Sequence, residues 1–126
     1  SLRYACQCLT TRAKQVGVNV AAMNEAAFKN SVIDIATRYG WFVHHDLPAM
    51  NRRGQWATHV QGNTGFPDLV LLSPKGVLVF AELKTDVGVV RKTQERWLER
   101  LDVAGVIVQV WRPNQLPVII RFLASA

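Results

Sequence analysis

The sequence has little cysteine, few acidic residues and no long apolar run, and each shortage closes off a class of protein. Only two cysteines are present, Cys6 and Cys8. One residue apart, they are too close for a good structural disulfide. As a zinc site they lack a second ligand pair at ordinary spacing; His44, His45 and His59 would have to complete it. Reduced, partly buried thiols in a cytoplasmic protein are the reading this usage favours. No stretch approaches the roughly 18 apolar residues that a membrane span needs. Arg3 is followed by a mixed segment, Tyr4 to Thr11, and not by the apolar core of a signal peptide. Internal repeats and low-complexity tracts are absent, which excludes solenoids and fibrous chains.

What is there points to one domain. A chain of 126 residues that is 49% hydrophobic has enough apolar material for one core without disulfides or a structural metal. Fifteen Lys and Arg against nine Asp and Glu give a net charge of +6, with a pI near 9.9. An excess of that sign favours an anionic partner, and nucleic acid is the usual one. Residues 1–23 carry no strong pattern and read as a lead-in, with Arg12 and Lys14 facing solvent and Gly17 interrupting any helix. The patterned chain, 24–126, reads as a single domain.

Asn24 to Tyr39 reads as an amphipathic helix, with Asn24 as N-cap and Phe28, Val32, Ile35, Ala36 and Tyr39 at three- and four-residue spacing. Glu25 is three residues before Phe28 and seven before Val32, which places it on the apolar stripe. Its first-turn position also suits the helix dipole. Gly40 stops the helix. Trp41 to His45 reads as a strand, and 46–65 as a long loop carrying Arg52, Arg53, Trp56 and Gln61. Pro67 to Ser73 and Val77 to Lys84 are two further strands, apolar on both faces and so expected to be covered on both. Arg91 to Ala104 is a second amphipathic helix and Val106 to Trp111 a fourth strand. Residues 118–124 fit either a helix or a strand. The order is that of an α/β domain with a mixed central sheet flanked by helices, an α-β-β-β-α-β core.

Two strands break their own pattern with charge. Asp68 opens an otherwise apolar strand, and Glu82 and Lys84 end another. Unpaired charge among Leu, Val and Phe costs several kcal/mol. Alternation puts Glu82 and Lys84 on one face. If Pro74-Lys75-Gly76 is a three-residue hairpin loop with Gly76 left-handed, Ser73 pairs with Val77 and Asp68 falls opposite Glu82. A two-residue loop would send the two carboxylates to opposite faces. Opposed residues have Cβ atoms about 4.5–5.5 Å apart. Two carboxylates that close call for a cation, and Mg²⁺ or Mn²⁺ suits oxygen donors. Lys84 beside them suits charge building up on a phosphate, or the orientation of a water. Gln94 shares a helix face with Trp97, Leu98 and Leu101, so it is a polar group on an apolar stripe. It fits either a helix-start cap or a contact with substrate. Arg52, Arg53 and Trp56 suit a phosphodiester backbone and its bases. Arg91 and Lys92 suit phosphates, and Arg96 and Arg100 further along fit either phosphates or a solvated helix face.

The ordered series Glu25, Gly65-Phe66-Pro67-Asp68, Glu82-Leu83-Lys84 and Gln94 resembles the PD-(D/E)XK nuclease superfamily, and more narrowly its VRR-Nuc family in stand-alone form. Gly40-Trp41 with His45, Gln61-Gly62 and Trp111-Arg112-Pro113 extend the likeness over about residues 24–124. The resemblance implies a divalent-metal-dependent DNA endonuclease, selective for branched structures such as Holliday junctions or flaps. Asp68, Glu82, the Leu83 carbonyl and Glu25 would be the metal ligands, Lys84 the catalytic lysine and Gln94 the active-site glutamine. It implies a restriction-endonuclease-like fold, a homodimer, and a cytoplasmic setting in a bacterial or virally infected cell. Ile119, Ile120 and Phe122, apolar residues near the C-terminus, would be available for pairing two copies. The competing expectation is a nucleic-acid-binding domain on the same fold that has lost catalysis. A sequence-specific restriction-type enzyme would need recognition segments for which the chain leaves little room.

Overall fold

In a computed structural model, which describes residues 23–58 and 60–126, the first helix starts where its cap predicts. Asn24 Oδ1 accepts the Ala27 N–H at 2.8 Å, and α1 runs Glu25–Arg38. It ends at Gly40, after which the Trp41 N–H returns to the Ala36 carbonyl at 3.0 Å. The expectations for the lead-in, with Cys6, Cys8, Arg12, Lys14 and Gly17, lie outside the described residues, as does His59.

Strand β1 is Phe42–His44. The segment read as a loop, 46–65, contains a small antiparallel ribbon of β2, Ala49–Met50, and β3, Trp56–Ala57. Two-residue strands carry too little alternation to show in a sequence, so this ribbon is a correction. Strands β4, Leu69–Leu72, and β5, Leu78–Leu83, form a hairpin. Helix α2, Lys92–Val103, then crosses to β6, Ile107–Trp111, which pairs parallel with β5. The sheet order is β1-β4-β5-β6. This is the expected α-β-β-β-α-β core.

The ambiguous tail is helical. After a 3-10 turn at Pro113–Gln115, α3 spans Leu116–Ser125. Pro117 stands at its N-terminus, where a missing N–H costs nothing. Ile119 is buried, and Phe122 packs between Trp41 and Trp111 with ring centroids 5.9 and 6.0 Å apart. Ile119 and Phe122 thus help complete the core of this chain, and Ile120 between them is half-buried.

The sheet has two unequal sides. One carries Leu69, Leu71, Val79, Ala81 and Leu83 against Phe28, Val32 and Ala36 of α1 and Ile119 and Leu123 of α3. On the other, Phe80, Val108 and Val110 meet Leu98 and Leu101 of α2. A helix is about 10 Å wide and strands lie about 4.8 Å apart, so one helix covers two strands. The far end of the α2 side stays open: Phe42, Leu72 and Leu78, opposed across β1, β4 and β5, are exposed. Full burial on both faces holds only in the centre of the sheet.

Trp41 ties the start of β1 to the end of α3. Its indole N–H donates to the Leu123 carbonyl at 2.8 Å, one of the last four of the helix, which have no partner within it. Replacing Trp41 by Phe is expected to cost about 2 kcal/mol, from an unmet buried acceptor and lost packing. A thermal melt followed by circular dichroism should show the melting temperature lowered by about 10 °C.

Candidate active site

The β4–β5 turn sets the geometry. Ser73 N–H donates to the Val77 carbonyl and Gly76 N–H to the Ser73 carbonyl, at 2.9 and 3.0 Å. Ser73 Oγ also accepts the Val77 N–H at 2.9 Å. Gly76 has φ of 88°, the left-handed position of a three-residue loop. The ladder then runs Leu72 opposite Leu78 up to Leu69 opposite Ala81, and its next step places Asp68 opposite Glu82. Both stand on the α2 side of the sheet, two residues along from Phe80 and Val70.

The carboxylates are held differently. Asp68 Oδ2 accepts the Leu83 N–H at 2.8 Å, which fixes the motif to the strand beside it. Glu82 is 1% exposed. Its Oε1 accepts from Gln94 Nε2 at 2.9 Å and lies 3.5 Å from Lys84 Nζ. Its Oε2 is buried without a hydrogen-bond partner. Burial, and then the charge of Asp68, push the Glu82 carboxyl up to about 8, against the pull of Lys84. A single ammonium at 3.5 Å does not offset desolvation and a neighbouring carboxylate.

Gln94 takes the capping role its position allowed and adds a bond to the acidic pair. Its Oε1 caps α2 by accepting the Arg91 N–H at 2.9 Å, while its amide nitrogen reaches Glu82. The helix start and the acidic site are thus joined by one side chain.

The residues before Asp68 are docking surface for α2. A Cβ on Gly65 would lie 2.5 to 2.7 Å from the Thr93 and Gln94 backbone, so only glycine allows that approach. Phe66 sits edge-on to Phe80 and Trp97, with centroids 5.8 and 5.1 Å away. Trp97 Nε1 donates to the Asn63 carbonyl at 3.2 Å. The chain from 63 to 68 is clamped between helix and sheet, and Asp68 inherits that rigidity.

Glu25 does not join them. It is exposed, and no group of three or more His, Cys, Asp or Glu side chains suited to a metal occurs among the described residues. Its helix packs on the opposite side of the sheet from Asp68 and Glu82, and it lies in the first turn, one turn before the first buried residue, Phe28. The apolar stripe had ended before it reached Glu25. The zinc alternative rests on Cys6, Cys8 and His59, which lie outside the described residues.

Asp68 and Glu82 each retain one oxygen that no protein donor occupies in the bonds above. The orphaned, buried Glu82 Oε2 is the strongest sign that this pair fits a divalent cation: two opposed carboxyl groups, one of them desolvated and holding a proton that a cation would replace. Leu83 is buried between Glu82 and Lys84 at the end of β5. Arg52 and Arg53 lie in the turn of the β2–β3 ribbon, Trp56 on β3 is 68% exposed, and Gln61, Arg91 and Lys92 are exposed.

Arg112 has a structural part that its sequence position did not disclose. Its Nη1 donates to the carbonyls of Thr85 and Gly88, both at 2.6 Å, and so braces the connection that follows Lys84. Its place in Trp111-Arg112-Pro113, straight after an apolar strand, was the available signal.

The pattern of the VRR-NUC domain family matches residues 44–115. That span holds Asp68, Glu82, Lys84 and Gln94 and leaves Glu25 outside. A solved structure described as a VRR_NUC domain aligns with a TM-score of 0.58 at 23% identity, over 77% of this chain and 94% of that one. At that identity the likeness is one of fold. No curated protein matches the chain. Among the described residues, no helix is long and apolar enough to cross a membrane.

Proposed function

The chain belongs to the VRR-NUC family, a nuclease-type domain, and from that premise we propose that it is a divalent-metal-dependent DNA endonuclease. The observation that carries the reading is the Asp68–Glu82 pair, two carboxylates opposed across a hairpin with a buried, unpartnered oxygen between α2 and the sheet. Asp68, Glu82 and the Leu83 carbonyl would hold Mg²⁺ or Mn²⁺, which when bound neutralises charge on the phosphate and makes water more acidic.

The side chains of the chain supply the rest. Gln94 holds Glu82 in place through its amide. Lys84, 3.5 Å from the Glu82 oxygen, orients the attacking water and counters the charge that grows on the phosphate as the new P–O bond forms and the bridging P–O bond breaks. Arg91 and Lys92, just before Gln94, contact flanking phosphates. Arg52, Arg53 and Trp56 on the ribbon engage backbone and bases further away, and Gln61 contacts the strand from the loop before the motif. Selection of branched DNA and a homodimeric form extend the same reading.

The assay uses linear, flapped and four-way-junction DNA with Mg²⁺, with Mn²⁺ and with EDTA. Cutting is expected with either metal and not with EDTA. Lys84→Ala is expected to slow it by about a hundredfold or more, in line with removal of one charge-stabilising donor. Cutting that survives EDTA would sink the mechanism. The competing reading is a silent DNA-binding domain on the same fold. DNA binding without cutting in Mg²⁺ and Mn²⁺ would select it.

A further inference from the structure

Beside the acidic site is a cavity that the proposed chemistry does not use. It has a volume of about 420 Å³ and lies between the 62–64 loop and α2, within the roughly 300–1,000 Å³ usual for small-ligand pockets. Trp97 and Leu101 give it an apolar wall, and Asn63, Thr64 and Thr93 give it polar groups. Arg96 and Arg100, one helical turn apart, stand at it with their side chains exposed. Neither makes an ion pair among the described residues. Two unpaired guanidinium groups beside an apolar wall match the two halves of a nucleotide, its phosphate and its base.

The wall is built, not loose. The Trp97 indole is held by the Asn63 carbonyl and by the Phe66 ring. The cavity is also placed for a strand that passes the acidic site. Thr93, which lines it, is adjacent in the chain to Gln94, which holds Glu82. Gly65 packs on the backbone of both, so cavity and carboxylates flank a single loop–helix contact.

We propose that this cavity takes one unstacked nucleotide of the DNA strand being cut, its phosphate on Arg96 and Arg100 and its base against Trp97. The proposal rests on the nuclease reading and adds to it a subsite for one unpaired nucleotide beside the cleaved bond. A base in a duplex is stacked on both faces and cannot enter a pocket without being extruded.

The test is binding in EDTA, where no cutting intrudes, of a short labelled oligothymidylate and of a blunt duplex, by fluorescence anisotropy. Thr93→Trp fills the cavity without changing charge. It is expected to weaken oligothymidylate binding about tenfold, the scale of one lost base–aromatic stack, with duplex binding within about twofold. Arg100→Glu, which leaves the cavity open, is expected to give the same preferential loss. The proposal is overturned if the wild type does not bind oligothymidylate, if neither variant weakens it, or if duplex binding falls as much. The nuclease reading fails separately, if the wild type binds with this preference but does not cut in Mg²⁺ or Mn²⁺.

Discussion

Glu82→Gln is expected to abolish cleavage and, at the same time, to make the metal-free protein more stable in alkali. The first effect follows from removing a charged oxygen donor from a two-carboxylate site. A loss of about a thousandfold corresponds to ~4 kcal/mol of transition-state stabilisation. The second follows from the proton on Glu82, whose carboxyl is raised from 4.5 to about 8. The folded chain holds that proton where the unfolded chain has released it. Stability from this group is therefore complete below pH 4.5, declines as pH rises, and is lost as pH passes 8. In EDTA the melting temperature of the wild type should fall by about 10 °C between mildly acid and mildly alkaline buffer. Glutamine is neutral at every pH and still accepts from Gln94, so the variant should show little of that fall. Calorimetry across the pH range checks it, and an equal fall in the variant would show that Glu82 is not the titrating group. Added Mg²⁺ should restore wild-type stability most at high pH, where the carboxylate is ionised.

Gly65→Ala is the second large effect. At φ of 94°, with backbone atoms of Thr93 and Gln94 within 2.7 Å of an added Cβ, the methyl meets peptide groups that cannot rotate away. Strain and overpacking each cost about 1–3 kcal/mol. A loss of about 4 kcal/mol should appear as a lowered midpoint in urea unfolding. Gly76 is the internal comparison: φ is 88° and nothing lies within 4 Å of a Cβ there. Alanine at Gly76 should cost about 1 kcal/mol. The Gly65 variant should also cut poorly even where it is fully folded, because the shift falls on Asp68 and Gln94. A Gly65→Ala protein with normal stability and cleavage would refute the docking argument.

The centre of the site was legible because its rules are local. The turn residues Pro74 to Gly76 fix a register, register fixes the face, and the charge on that face was visible in the chain. Gln94 was legible as a helix cap, and its bond to Glu82 was not among the contacts its position suggested. Glu25 was misplaced because periodicity tells which residues share a stripe, not how far along a helix the stripe stays covered. The same limit hid the exposed row of Phe42, Leu72 and Leu78, since how far α2 reaches across the sheet is a matter of tertiary packing. The run from Leu116 to Leu123 is rich in β-branched and apolar residues, and propensity alone could not decide it. The cavity beside Arg96 and Arg100 depends on a loop and a helix thirty residues apart, so no spacing rule could have disclosed it.

The hairpin that opposes Asp68 and Glu82 also bears on the order in which the molecule assembles. Only a tight turn separates the two strands, and hairpins of this kind close in about 1–10 μs. The parallel pairing of β5 with β6 must wait for α2 to cross between them, a contact of much longer range. The two carboxyl groups therefore meet before the amide of Gln94 is in place to hold one of them. In neutral solution that early encounter is a repulsion, relieved by a proton or a cation. The site that serves the proposed chemistry is therefore expected to slow folding at neutral pH, and stopped-flow refolding should be faster in mild acid or with added Mg²⁺ than in neutral EDTA buffer.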